Sequence, residues 1–120
     1  MSDDTVVTVE SPPEPQRRRR KQPADAKPKV QPPYAVIVHN DEEHSFQYVI
    51  DTFMKVFGYP LEKGYSLALQ IHTEGKALVW SGAREVAELK RDQIRSAGPD
   101  FYGEKKVEFP LGVIIEPLPG

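Results

Sequence analysis

Tyr34-Ala35-Val36-Ile37-Val38, then His39-Asn40-Asp41-Glu42-Glu43-His44-Ser45, then Phe46-Gln47-Tyr48-Val49-Ile50-Asp51-Thr52-Phe53: in this stretch the hydrophobic period of the chain changes from strand to helix. The first segment is a β-branched run directly after the pair Pro32-Pro33, the pattern of a short buried strand. The polar run from His39 breaks it. Beyond it Phe46, Val49, Ile50, Phe53 and Phe57 recur at helical spacing, with His44 or Ser45 placed as N-cap and Gly58 placed to stop the helix.

Toward the C-terminus, Tyr59-Pro60 restarts the chain, and Leu61, Tyr65, Ala68, Ile71 and His72 share one face of a second helix that ends at Gly75, with Gly64 in its interior. Lys76 to Ser81 contains Ala77, Leu78, Val79 and Trp80 and reads as a strand. Ala83 to Ala97 places Val86, Ile94 and Ala97 on one helical stripe before Gly98-Pro99 ends it. Val107 to Ile115 is apolar and β-branched enough for a last strand, with Pro110 and Gly112 pointing to an edge or a bulge. The expected fold is α+β: a small three-stranded sheet with three helices in the order β-α-α-β-α-β.

Toward the N-terminus the character is different. Residues 1–33 hold seven of the 12 prolines, almost no large apolar residue, and the block Arg17 to Lys21. Such a segment buries too little apolar surface to offset its ordering entropy, so a disordered Pro/Arg-rich arm is expected over 1–33 and a core domain over 34–120. The arm carries seven Lys or Arg against five Asp or Glu, net +2, and the remainder of the chain, whose total is −2, is correspondingly acidic.

A chain of 120 residues has room for one domain with a small core. A weakly acidic balance supplies no field for holding nucleic acid or an anionic membrane, so neither partner is expected. The arginine block binds phosphates in other settings, but it lacks interleaved aromatics and adjoins an acidic domain, which favours a plain tail. There is no cysteine, which excludes disulfides, thiolate metal sites and a cysteine nucleophile. With no apolar run of signal-peptide or membrane-span length, a cytoplasmic protein is expected.

The chain has no Walker loop, no dinucleotide fingerprint after a strand and no G-x-S-x-G, so no enzyme activity and no cofactor are expected. His39, Asp41, Glu42, Glu43 and His44 could mimic a metal cluster, but their spacing matches no ligand motif, and a polar loop capping a helix is the preferred account. Recognition chemistry is the stronger alternative. A protonated amine is best held by a carbonyl oxygen, a carboxylate and a neutral imidazole nitrogen converging on its three donors. Asn40, Asp41 or Glu42, and His72 supply that set, although singly Asn-Asp is ordinary turn chemistry and a histidine in a last helical turn complements the dipole.

The pattern as a whole resembles the ClpS adaptor family over residues 34–118. The resemblance is carried by Val36-Ile37-Val38-His39-Asn40-Asp41, Phe46-Gln47-Tyr48-Val49-Ile50-Asp51, Phe57-Gly58-Tyr59, the run Leu69 to Ala77, Glu85-Val86-Ala87-Glu88-Leu89-Lys90, and Pro110-Leu111. It holds without a gap from Asn40 to Lys90. It implies an adaptor that grips the free α-amine and first side chain of a substrate, usually Phe, Tyr, Trp or Leu, and hands it to a Clp-type AAA+ unfoldase, ClpA-like or ClpC-like. By position it implies Asn40, Asp41, Glu42 and His72 around the amine, Phe46, Val49, Ala68, Ile71 and Leu111 around the side chain, and Glu85 and Lys90 against the unfoldase's N-terminal domain. The alternative is a docking module of the same element order, similar to the C-terminal domain of the ribosomal stalk protein, that does not read N-termini.

The chain departs from the commonest family pattern in four places. His44-Ser45-Phe46 stands for Thr-Pro-Met, Ala68 for a large residue that is often Met, Glu42 for a second Asp, and the loop from Gly98 to Glu108 is longer than usual. A ring at Phe46 filling the room left by Ala68 would make the pocket shallower, and that arrangement is favoured because an apolar void beside a mobile ring invites dispersion contacts.

Overall fold

The computed structural model describes residues 31–119. The arm up to residue 30, with its Arg17 to Lys21 block, lies outside the described residues. The elements are β1 (Tyr34–His39), α1 (Phe46–Phe57), α2 (Leu61–Glu74), β2 (Lys76–Gly82), α3 (Arg84–Arg95) and β3 (Gly112–Pro117), the expected β-α-α-β-α-β order. Pro33 already belongs to the folded part, since its carbonyl accepts the N–H of Leu118 at 2.8 Å.

The sheet is antiparallel, in the order β2-β1-β3, so the β-branched run that opens the domain becomes its central strand. Its register pairs His39 with Lys76 on one side and with Gly112 on the other. A bulge between Val36 and Ile37 interrupts the β1–β2 ladder. Val36, Val38, Ala77, Val79 and Val113 face the helices and form the floor of the core with Phe53, Ile94 and Ala87. Phe53 is fully buried, and emptying such a site to alanine costs about 3 to 5 kcal/mol.

The first helix starts where its chemistry predicts. Ser45, in extended conformation, is the N-cap, and its Oγ accepts the N–H of Tyr48 at 3.1 Å. Gly58 stops the helix in the left-handed region, with its N–H on the Met54 carbonyl.

Three expectations are corrected. On α2 the inward stripe is Gly64, Leu67, Ala68 and Ile71, whereas Leu61 and Tyr65 are 57% and 51% exposed. The reason is Gly64: a Cβ there would meet Ile50 Cγ2 at 3.2 Å, so α2 crosses α1 with its backbone close to Ile50, and that approach selects the glycine face. On α3 the buried residues are Ala87 and Ile94, and Val86 is exposed, because the small side chain lets the helix sit on the sheet. The last strand begins at Gly112 rather than Val107. Val107 instead forms an isolated bridge with Asp100, and Pro110, which has no N–H to donate to a ladder, stands ahead of the strand. β3 is an edge strand, as Pro110 and Gly112 suggested.

Candidate functional site

The site is assembled where the end of β1, the start of α1 and the end of α2 come together. Gly75 ends α2 at φ 92, a conformation glycine adopts without strain, and its carbonyl accepts the N–H of Asn40 at 2.8 Å. That bond, with the adjacent His39–Lys76 pairing, sets Asn40 beside the last turn of α2, which carries His72.

Asn40, Asp41, Glu42 and His72 line one cavity of about 350 Å³ together with Phe46, Val49, Ala68 and Ile71. Of the nine residues expected at the amine and side-chain positions, Leu111 alone is absent from that cavity; it lines a small adjoining space of about 20 Å³ with Val49 and Ile71. The cavity therefore combines carboxylates, an amide and an imidazole with apolar walls from α1 and α2. Phe46 stands edge-on to Tyr65 and His72, with ring centroids 5.4 Å and 6.3 Å away, so its ring reaches across to α2.

The two acids differ in what remains of them. Asp41 Oδ1 accepts the N–H groups of Glu43 and His44, both at 2.8 Å, and Oδ2 meets the His44 Nδ1 at 2.7 Å. Burial pushes the Asp41 carboxyl up, but those hydrogen bonds and the His44 ring outweigh it and hold it below its ordinary value. Asp41 is thus committed to shaping its own loop. Glu42 is exposed at the cavity and makes no ion pair among the described residues, so it is the acid left for a ligand.

Sequence reasoning missed Asp100, and it named His44 only as a cap or metal candidate and not as part of the cavity lining. Asp100 is 1% exposed and accepts the N–H of Ser45 at 2.6 Å, the Ser45 hydroxyl at 3.2 Å and the N–H of Tyr102 at 2.9 Å. With the Asp100–Val107 bridge, this ties the long loop to the first turn of α1 and delivers Leu111 buried at the cavity's edge. Tyr48 adds a bond from its hydroxyl to the Gly98 carbonyl; burial raises its phenol above the ordinary value and keeps it a donor. The charge of Asp100 inside a Gly- and Lys-rich loop gave no signal of burial.

A second cavity of about 330 Å³ lies along α1 at Tyr48, Thr52 and Lys55, but its carboxylate, Asp51, is bonded to the Tyr102 hydroxyl. No group of three or more His, Asp or Glu among the described residues is arranged to hold a metal ion. At the expected docking positions, Glu85 is exposed in the first turn of α3, whereas Lys90 donates to the Val56 carbonyl at 2.8 Å, at the end of α1.

Residues 29–111 match the family model described as ATP-dependent Clp protease adaptor protein ClpS. Among curated proteins, the ATP-dependent Clp protease adapter protein ClpS of Nostoc sp. is 42% identical over 71 residues, covering 58% of this chain and 73% of that one. The protein of the same description from Mycolicibacterium paratuberculosis is 34% identical over 99 residues, covering 78% and 91%. Among solved structures, Agrobacterium tumefaciens ClpS2 bound to L-phenylalaninamide superposes with a TM-score of 0.60 at 26% identity, covering 74% of this chain and all of that one.

Proposed function

This chain belongs to the ClpS family of ATP-dependent Clp protease adaptors, and on that premise we propose that it binds the free amine and first bulky apolar side chain of substrate proteins and delivers them to a Clp-type unfoldase. The observation that carries the reading is the single cavity in which Asn40, Glu42 and His72 sit beside apolar walls from Phe46, Val49, Ala68 and Ile71. A terminal ammonium has three N–H donors, and an amide oxygen, a carboxylate and an imidazole nitrogen can take one each. L-Phenylalaninamide, the ligand of the related ClpS2 structure, has that chemistry: a free amine, a large apolar side chain, and an amide where a peptide would continue.

Within this proposal Phe-, Leu-, Tyr- or Trp-first proteins are the substrates, and the partner is the N-terminal domain of a ClpA-like or ClpC-like unfoldase, met through α3 at Glu85. The role is binding and transfer, with no bond made or broken. The division into an N-terminal arm and an adaptor domain, expected at 33/34 and set upstream of Pro33 by its bond to Leu118, belongs to the same reading, with the arm serving delivery. Work beside such an unfoldase keeps the cytoplasm as the expected compartment.

The test is a titration with Phe-first peptides whose amine is free or acetylated. Acetylation removes the charge and a donor, so charge-assisted hydrogen bonds of about 1.5 to 3 kcal/mol each are lost and binding should vanish. His72→Ala should weaken the free peptide while leaving the melting temperature near that of the parent, since the ring is exposed and α2 is held by its buried stripe. Equal affinity for both peptides would rule out the amine grip and leave a docking module.

A further inference from the structure

The side chain of His44 is 2% exposed, and both of its ring nitrogens face acceptors. Nδ1 meets the Asp41 carboxylate at 2.7 Å and Nε2 meets the Phe109 carbonyl at 2.8 Å. A neutral imidazole has one N–H and can serve only one of them. A protonated Asp41 would fill the first contact, but the two backbone N–H groups on its other oxygen favour the ionised carboxyl. The ring is paired on both sides only as an imidazolium.

We propose that His44, in this doubly protonated form, is a positioning residue for the amine pocket: a latch that holds the loop of Asn40, Asp41 and Glu42 against the Phe109–Leu111 segment and lets go as the ring loses a proton. The inference rests on the amine-binding reading of the cavity. His44 lines both the large cavity and the small one at Leu111, and its ring bonds to Asp41 on one side and to the Phe109 carbonyl on the other, so it joins the two walls. Its ring stacks on Tyr48 at 5.1 Å and meets the Phe109 ring edge-on at 5.0 Å, contacts that keep it in place whichever form it takes.

The charged and titratable groups around it are few. Asp41 lies in its own loop, Asp100 follows α3 and reaches the neighbouring Ser45, and both carboxylates favour the cation. Tyr48 on α1 is a phenol held protonated by burial. His39 at the end of β1 lines the small cavity and His72 on α2 the large one, and either would oppose the His44 charge when protonated, whereas Glu42, which also lines the large cavity, favours it. The direction follows from the two acceptors: both bonds are made while the ring is protonated, and one of them is lost when the ring gives up a proton as pH rises.

The experiment titrates a Leu-first peptide into the full chain and into His44→Gln between roughly pH 5.5 and 8, the range in which histidine changes charge. The peptide's amine is common to both proteins, and following the His72 ring by NMR in each separates its contribution, so that the ratio of the two affinities reports His44. That ratio should fall about three- to tenfold in the parent's disfavour across the range, and a flat ratio overturns the latch. If neither protein binds at any pH, the amine reading fails, and the latch is then decided in the ligand-free parent by NMR. There both ring nitrogens of His44 should carry protons at low pH, and the Phe109 and Leu111 amide signals should move with the ring as it titrates. A ring with a single proton throughout, or amides indifferent to it, overturns the proposal, and the same measurement decides it if the variant does not fold.

Discussion

Asp100 accepts the backbone N–H of Ser45 at 2.6 Å, joining two residues 55 positions apart and placing a buried carboxylate at the start of the first helix. The pairing extends the N-cap: Ser45 Oγ takes the Tyr48 N–H, and Asp100 takes the N–H and hydroxyl of Ser45 itself. A negative group there is also favoured by the helix dipole.

Removing that carboxylate should therefore cost more than removing an ordinary loop acid. Asp100→Ala leaves the N–H groups of Ser45 and Tyr102 without their partner, and a loss of about 2 to 4 kcal/mol in denaturant unfolding is expected. Hydrogen exchange should rise first over residues 98–108. A variant as stable as the parent would mean that the loop does not need this anchor.

The contact of Phe46 with Tyr65 and His72, one turn either side of Ala68 on α2, favours the shallow form of the side-chain pocket. Leu- and Phe-first peptides should then bind better than Trp-first ones. Ala68→Met should clash with the Phe46 ring and weaken all three ligands. A Trp preference in the parent that disappears in the variant would show instead a deep cavity with the ring at its rim.

The division of labour between the two acids gives a paired test. Glu42→Gln should weaken amine binding with little change in stability, because Glu42 is exposed. Asp41→Asn should act on the loop. Since the folded Asp41 carboxyl titrates below its ordinary value of about 3.9, it adds stability above that value and loses it as pH falls through the folded titration. Acid unfolding of Asp41→Asn should consequently be shallower than that of the parent; identical acid limbs would mean that the Asp41 bonds persist in the unfolded chain.

On α3 the two expected docking residues should separate. Lys90 closes the end of α1 through the Val56 carbonyl, so Lys90→Ala should lower stability by about 0.5 to 1.5 kcal/mol. Glu85→Ala should leave melting unchanged and reduce binding to the N-terminal domain of a Clp unfoldase. If Glu85→Ala binds that domain as the parent does, the interface lies elsewhere.

The element order was legible because each signal is local. The β-branched run after Pro33, the 3.6-residue recurrence from Phe46 to Phe57 and the glycines at 58 and 75 are patterns within one turn or one strand, set by backbone geometry. The unbroken register from Asn40 to Lys90 likewise let Asn40, Glu42 and His72 be nominated before any contact was known. Which residues meet was decided only in three dimensions. The inward face of α2 depends on how closely Gly64 approaches Ile50, which no period within α2 encodes, and so Leu61 and Tyr65 were misplaced. The split between Asp41 and Glu42, the burial of Asp100 and the doubly bonded ring of His44 depend on partners up to 65 residues away. Two of those partners are a backbone N–H and a backbone carbonyl, groups that nearly every residue carries, so only the sheet register and the path of the loop could select Ser45 and Phe109 for them.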